Sequence, residues 1–313
     1  MSDERAGTAG PPVLTVVGPT AVGKTAVAVA LARSLGGEIV SADSRQVFRG
    51  MDVGTAKPTA DELRLVRHHL IDIVEPSESY DAARFASDAE AAIAGIVARG
   101  AVPLVVGGTG FYIASLFRGL FEGPGRDPEV RALLDERAAT EGVAALHADL
   151  AEVDPAAASR IHVNDTSRVV RALEVYMSTG MTLSEWQDGP ARAPAYSPRY
   201  AGLMRPRESL RERIDRRVDA MMSEGLLDEI ERLVSTGALS STSPAASAVG
   251  YRELLPVVER GEGSVNDAVA LIKRNTRRYA KRQMTWFRSL EGIEWLDIEG
   301  LTPEDAAKAI LTE

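Results

Sequence analysis

The chain is expected to fold as an α/β protein with a parallel sheet interrupted by a helical insertion. Three observations predict this. Short apolar runs alternate with helix-patterned segments in the first third. A glycine-bearing turn joins the first run to the first helix. From about Asp127 the texture becomes helical throughout. Strand–helix alternation is the signature of a layered sheet whose faces are covered by crossover helices.

Taken in order, Val13 to Val17 reads as a buried strand, followed by the turn and the helix-forming run Thr25 to Leu35. Glu38 to Ala42 makes a second strand ending at Asp43, His69 to Val74 a third, and Val102 to Val106 a fourth, closed by Gly107-Gly108. Tyr80 to Arg99 is alanine-rich with helical spacing. The helical stretch contains Pro128 to Thr140, Val143 to Glu152 and Ser167 to Ser178. A Pro/Gly-bearing segment, Gly189 to Pro198, precedes a strand at Ala201 to Met204. The insertion leaves the sheet after Gly119 and returns near Tyr200, which divides the chain into a core of 11–125 and 199–313 and a helical domain of 126–198. The last third is mostly helical, with a short strand near Glu294 to Ile298.

Composition narrows the classes of function. The hydrophobic share is 45% and the charged share 26%, as in a soluble globular enzyme. No apolar run approaches the roughly 18 residues of a membrane span. Met1 to Gly10 is polar, with Asp3 and Glu4, unlike a signal peptide. The absence of cysteine excludes disulfides and thiolate zinc sites, and a cytoplasmic protein is expected. A net charge of −9 argues against coating nucleic acid through bulk charge. The basic residues are nonetheless clustered. Arg205, Arg207, Arg211, Arg213, Arg216 and Arg217 crowd one stretch, and Lys273, Arg274, Arg277, Arg278, Lys281, Arg282 and Arg288 another. Local basic stripes on an acidic protein suit a ligand gripped in one channel.

The turn after the first strand reads Gly18-Pro19-Thr20-Ala21-Val22-Gly23-Lys24-Thr25 and fits the pattern G-x-x-x-x-G-K-[ST] between a strand and a helix. Glycines let the backbone point successive N–H groups at phosphate oxygens, and the helix N-terminus adds partial positive charge. Lys24 supplies a mobile charge, and the Thr25 hydroxyl can reach a Mg²⁺ ion. The expected core is therefore P-loop NTPase-like. The loop specifies a polyphosphate and leaves its identity open.

Asp43 leaves the second strand at the carboxyl edge of the sheet, where open α/β sheets bind ligands. A carboxylate there could accept a proton from an attacking nucleophile; a helix cap or a Mg²⁺-organising group would place it equally well. Gly107-Gly108-Thr109-Gly110 ends another strand at that edge, and by itself reads as a tight turn with Thr109 capping a helix. His68 and His69 fit no metal spacing and read as structural.

Together these pieces resemble the tRNA dimethylallyltransferase family. The resemblance rests on GPTAVGKT (Gly18 to Thr25), SADSRQVF (Ser41 to Phe48), MDVGTAKP (Met51 to Pro58) and GGTGFYI (Gly107 to Ile113), then RVVRALEVY (Arg168 to Tyr176), VGYRE (Val249 to Glu253) and KRQMTWFR (Lys281 to Arg288). They span about residue 13 to about 297 in family order; the loop alone is common, whereas GTAKP with SRQVF and KRQMTWFR is highly specific. The cysteine-free chain lacks the C-terminal zinc finger of some eukaryotic relatives and looks like the short bacterial type.

The resemblance implies that the loop holds the diphosphate of dimethylallyl diphosphate, with Mg²⁺ and with Thr20 as a further donor, and that Lys24 stabilises the leaving group. It aligns the general base with Asp43. An arginine between Arg205 and Arg217 also binds the diphosphate; Arg213 and Arg217, four apart, share one helix face. The acceptor is the N6 amine of the adenosine 3′ to the anticodon, flipped into a pocket. The RNA-contacting positions carried over are Asp43, Ser44, Arg45, Gln46, Thr109 and Arg131. They continue with Ser167, Arg168, Val169, Val170 and Arg171, and with Ser247, Ala248, Val249, Gly250, Tyr251 and Arg252. The last group is Lys281, Arg282, Gln283, Met284, Thr285, Trp286, Phe287 and Arg288. There, aromatics interleaved with cations suit phosphate contacts plus base stacking; a solvated amphipathic helix with core aromatics has the same composition. The anticodon stem-loop is the expected partner of a monomer that has no membrane contact. A P-loop kinase of small molecules accounts for the loop, Asp43 and a lid-like insertion, but not for the basic clusters; a non-catalytic RNA-binding ATPase is a third reading.

Overall fold

The computed structural model describes residues 10–119, 123–189 and 193–312. The strands β1 (Pro12–Val17), β2 (Gly37–Ala42), β3 (His68–His69), β4 (Val102–Gly107), β5 (Ser197–Met204) and β6 (Ile293–Asp297) form one sheet. Their order is β3-β2-β4-β1-β5-β6, and every pairing is parallel. Parallel strands carry helices on both faces, and β1 is accordingly buried at every position from Val13 to Val17.

In chain order the helices beside the sheet are α1 (Lys24–Leu35), α2 (Ala60–Leu65), α3 (Ala82–Ala98) and α4 (Gly110–Arg118). Next come α5 (Pro128–Thr140), α6 (Val143–Val153), α7 (Pro155–Arg160), α8 (Thr166–Thr179) and α9 (Leu183–Asp188). After β5 follow α10 (Arg207–Ser223), α11 (Leu226–Ser235), α12 (Tyr251–Arg260), α13 (Val265–Arg288) and, after β6, α14 (Pro303–Thr312). One face of the sheet presents Leu14, Val16, Leu104 and Leu203 to Val27 and Leu31 of α1 and to Ile310 of α14. Each such large aliphatic contributes about 1.5–3 kcal/mol when fully buried.

Two compact units result, 118–193 and the remainder. The smaller closes its core with Leu134, Leu146, Leu150, Val169, Val170 and Leu173. All its helices but α6, which starts after Gly142, begin on side-chain caps: Asp127 for α5, Asp154 for α7, Asp165 for α8, and a Thr182–Glu185 capping box for α9.

Several expected boundaries differ. Of the expected third strand, His69 to Val74, only His69 pairs in the sheet, joined by His68 before it, because Leu70 and Asp72 adopt φ of +62° and +56° and turn the chain away; Val74 keeps a single bridge to Phe48. The strand expected from Ala201 starts at Ser197 and passes through Pro198. The missing N–H there goes unused because β6 pairs only from Tyr200 onward. The helical unit takes in residues 118–125 and releases 194–198 to the sheet unit, against the expected limits of 126 and 198. The rest of the Pro/Gly segment and the polar N-terminus fall partly outside the described residues, at 190–192 and 1–9. No helix among the described residues is long and apolar enough to cross a membrane.

Topology sets the position of the site. The strands β2, β4 and β1 are neighbours, so their carboxyl ends place Asp43, the turn at Gly108 and the loop from Gly18 side by side. This is a crevice of the kind that binds ligands in open α/β sheets. One wall is anchored by Glu229 of α11. Its buried carboxylate accepts the N–H groups of Asp52 (2.7 Å), Val53 (2.8 Å) and Gly54 (3.2 Å) and the Tyr251 hydroxyl (2.5 Å). Glu229→Ala strands four donors, the buried Tyr251 hydroxyl and three part-buried amides, and at the low end of about 1–3 kcal/mol for each a loss of about 4 kcal/mol is expected in a urea titration.

Candidate active site

The loop between β1 and α1 is held open by backbone geometry that few residues permit. Gly18 has φ of +148°, and a Cβ there would lie 2.6 Å from the Leu203 carbonyl oxygen. Ala21 adopts φ of +63°, a conformation costing a non-glycine residue about 1–2 kcal/mol. Two arginines hold it there: Arg213 donates through Nε to the Ala21 carbonyl (3.0 Å) and Arg205 through Nε to the Val22 carbonyl (2.9 Å). Lys24 curls back over the loop, its Nζ donating to the carbonyls of Gly18 and Pro19 (both 2.9 Å). Burial of this ammonium lowers its pKa to about 8; nearby Asp43 opposes the shift and Arg217 adds to it.

Asp43 is fixed by its own turn. Its Oδ1 accepts the N–H groups of Arg45 (2.8 Å) and Gln46 (3.4 Å), so the carboxylate caps a turn and no helix begins there. Thr109 reaches across the strand ends, where its hydroxyl accepts the Ser44 N–H (3.0 Å). Nearby Tyr279 has its hydroxyl pushed up to about 12, mainly by burial and then by Asp43. Gln46 receives the Ser41 hydroxyl (3.1 Å) and donates to the Ala56 carbonyl (3.1 Å).

These groups converge on a cleft of about 620 Å³. Thr20, Lys24, Thr25, Asp43, Gln46, Arg213, Arg217 and Gln283 line it, together with Lys57, Arg216 and Tyr279, to which the sequence reading assigned no role. Tyr279 carried a signal: it precedes the KRQ run by one helical turn from Gln283. Arg213 and Arg217 both reach the cleft, and burial depresses both guanidinium pKa values. With Arg213 committed to the Ala21 carbonyl, Arg217 faces Asp43 as the nearer countercharge.

The donor chemistry fits Mg²⁺. A smaller cavity of about 40 Å³ beside Lys24 is lined by the oxygen-bearing side chains of Thr25, Ser41, Asp43 and Gln46. His68 also lines it, and its Nε2 is buried without a hydrogen-bond partner while Nδ1 contacts the Val66 carbonyl (2.9 Å). Among the described residues no cluster of three His, Cys, Asp or Glu could cage a metal.

Family models match most of the chain: the IPP transferase model covers residues 46–290 and the isopentenyl transferase model residues 11–79. A tRNA dimethylallyltransferase from Anaeromyxobacter dehalogenans is 52% identical over 297 residues, 93% of this chain and 95% of the relative. This chain belongs to the tRNA dimethylallyltransferase family. A second relative of that name, from Desulforudis audaxviator, is 47% identical over 302 residues, covering 96% of this chain and 97% of its own. The tRNA isopentenylpyrophosphate transferase of Bacillus halodurans superimposes with a TM-score of 0.71 at 40% identity, covering 96% and 95% of the two chains. A eukaryotic dimethylallyltransferase acting on tRNA gives 0.77 at 30% identity, covering 92% of this chain and 74% of that one. Membership in the tRNA dimethylallyltransferase family makes the chain a prenyltransferase and displaces the kinase reading.

Of the positions carried over from the tRNA dimethylallyltransferase family as RNA contacts, several are buried. Val169 and Val170 are fully buried on the inner face of α8, Phe287 is fully buried on α13, and Ala248 and Tyr251 are core residues. Gly250 is buried and Gln283 is 7% exposed. Each sits where an amphipathic helix or its cap turns inward, so a contiguous motif mixes core and surface positions. In the smaller unit, Arg131 and Arg171 both pair with buried Glu174 (3.1 and 3.2 Å), and Arg168 pairs with Asp165. Ser167 and Arg168 are exposed. In the larger unit, Arg45 donates to Ser247 (3.1 Å) and Arg252 pairs with Glu253 (2.6 Å). Lys281, Arg282, Thr285 and Arg288 are exposed, Val249, Met284 and Trp286 partly so.

Proposed function

We propose that this chain transfers a dimethylallyl group from dimethylallyl diphosphate to the N6 amine of the adenosine 3′ to a tRNA anticodon, releasing diphosphate. The observation that carries this reading is the convergence of Lys24, Asp43 and Arg217 on one cleft, in a chain so similar to tRNA dimethylallyltransferases. Breaking the allylic C–O bond leaves negative charge on the departing diphosphate. Lys24 and Arg217 lie in the cleft to stabilise it, with Arg213 and Arg205 bracing the loop and Thr20 as a further donor. The N6 lone pair forms the new C–N bond, and the proton lost from nitrogen passes to Asp43. A Mg²⁺ ion held by Thr25 would neutralise diphosphate charge when bound. The protein acts as a monomer in the cytoplasm on this reading.

The test is diphosphate release in the presence of Mg²⁺, dimethylallyl diphosphate and unmodified tRNA, with ATP hydrolysis followed in parallel. Release that requires tRNA supports the reading; ATP turnover without prenyl transfer overturns it.

The exposed cations of α13 give a second expectation. Lys281 and Arg282 line a shallow groove with Arg278, Thr285, Trp286 and Ser289. If they neutralise tRNA phosphates, each contact contributes about −0.7 to −0.9 to the slope of log affinity against log salt. A Lys281→Ala/Arg282→Ala variant should bind tRNA more weakly and lose about one to two units of slope, with donor affinity unchanged. Anisotropy titrations at several salt concentrations read this directly, and an unaltered slope returns the stripe to a solvated face.

A further inference from the structure

One stripe of α13 meets the turn after β4, and two of its residues, Tyr279 and Gln283, also line the cleft. Tyr279, Gln283 and Trp286 are spaced by four and three residues, which a helix lines up on one side. Each engages the turn after β4. Tyr279 lies close enough to Thr109 for that hydroxyl to influence its own, and the Gln283 amide donates to the Gly108 carbonyl (2.9 Å). A Cβ at Gly110 would lie 2.1 Å from the Trp286 ring, so the indole rests on that backbone.

Gln283 makes a second connection. Its side-chain carbonyl accepts the Thr20 N–H (2.8 Å), which ties α13 to the loop that grips the donor. The residue is 7% exposed, and both ends of its amide are used. The geometry is tight as well as satisfied: a Cβ at Gly108 would fall 2.3 Å from Gln283 Nε2 and 3.5 Å from Lys24 Nζ. Only a side chain with a donor and an acceptor at this reach bridges the two turns. Glutamate lacks the donor, methionine has no donor and only a weakly accepting sulfur, and asparagine is one methylene short. Meanwhile Arg278, Lys281 and Arg282 stand in the groove on the outward side of the same helix.

We propose that Gln283 is a positioning residue that couples RNA held on α13 to the shape of the donor loop, so that the two substrates bind cooperatively. RNA on the outward face restrains α13. Through Gln283 this restrains the Thr20 amide and the Gly108 carbonyl, between which Lys24 operates. A donor arriving at a loop already ordered loses less entropy, and linkage makes the effect reciprocal. This inference rests on the prenyl-transfer reading above.

The experiment measures the affinity of a non-reactive thiolo analogue of dimethylallyl diphosphate, with and without a saturating anticodon stem-loop. The loop carries purine riboside, which has no N6 amine, at the target position. In the unmodified protein the RNA should tighten the analogue about tenfold, within the usual range of about 5- to 150-fold for coupled sites. In Gln283→Met, whatever happens to either binary affinity, the ratio should fall to near one. Gln283→Glu keeps the Thr20 acceptor but not the Gly108 donor; it should also lose the coupling, and it serves where the methionine variant fails to fold. A ratio near one in the unmodified protein overturns the inference, as does an undiminished ratio in either folded variant. A control with reactive donor and unmodified RNA separates the two levels. Prenylated product with a ratio of one sinks the coupling alone, and absence of product sinks the functional reading and the coupling with it.

Discussion

Replacing Asp43 with asparagine is expected to slow single-turnover prenyl transfer about 10²- to 10⁴-fold while both substrates still bind. The structure makes this substitution unusually clean. Both backbone N–H groups that orient the side chain, from Arg45 and Gln46, fall on Oδ1. An asparagine carbonyl accepts both, so the turn survives. The second oxygen becomes an NH₂ that cannot take a proton, and the negative charge beside Lys24 and Arg217 is lost with it. Adenine N6 is a poor nucleophile because its lone pair is delocalised into the ring, and it gains most from losing a proton during attack. Rapid-quench measurement with donor and tRNA prebound isolates that step. Retention of more than about a tenth of the rate would make Asp43 an orienting ligand.

Lys24→Ala should cost about 10²- to 10³-fold in turnover, the range seen when one preorganised donor to developing charge is removed. tRNA affinity should stay within a few-fold, because Lys24 serves the loop and touches none of the exposed cations of α13. The pKa of Lys24 adds a signature. Burial holds it at about 8 in the unliganded cleft, so the side chain is cationic below that pH and neutral above it. The value of kcat/KM for the donor, which reports the free enzyme, should therefore fall as pH rises through about 8. The alanine variant should lack that descending limb. Near-normal turnover at saturating donor, or loss of tRNA binding in a folded protein, would contradict the assignment.

What the sequence disclosed was local. The loop from Gly18 to Thr25 is legible because a contiguous run with a strand before it and a helix after it has one low-energy conformation. Asp43 is legible because it directly follows a strand, and strand ends in a parallel sheet share an edge. The third strand was misread because apolar alternation from His69 to Val74 says nothing of the left-handed residues Leu70 and Asp72 that end it. The roles of Gln283 and Tyr279 were hidden for another reason. Gln283 binds Thr20 and Gly108, which stand 263 and 175 positions away, so composition and spacing near residue 283 carry no trace of the bridge. Tyr251 and Phe287 show the converse, since a motif that marks a surface also contains the residues that hold that surface in place.

The most direct test of the account is the identity and position of the modified nucleoside. Unmodified tRNA incubated with the protein, Mg²⁺ and dimethylallyl diphosphate is digested, and the fragments are mapped by mass spectrometry. The account predicts one dimethylallyl group on N6 of the adenosine immediately 3′ to the anticodon, and none when Asp43→Asn replaces the protein for a single-turnover interval. Unmodified RNA from a folded, tRNA-bound protein, or a prenyl group at any other position, would contradict it.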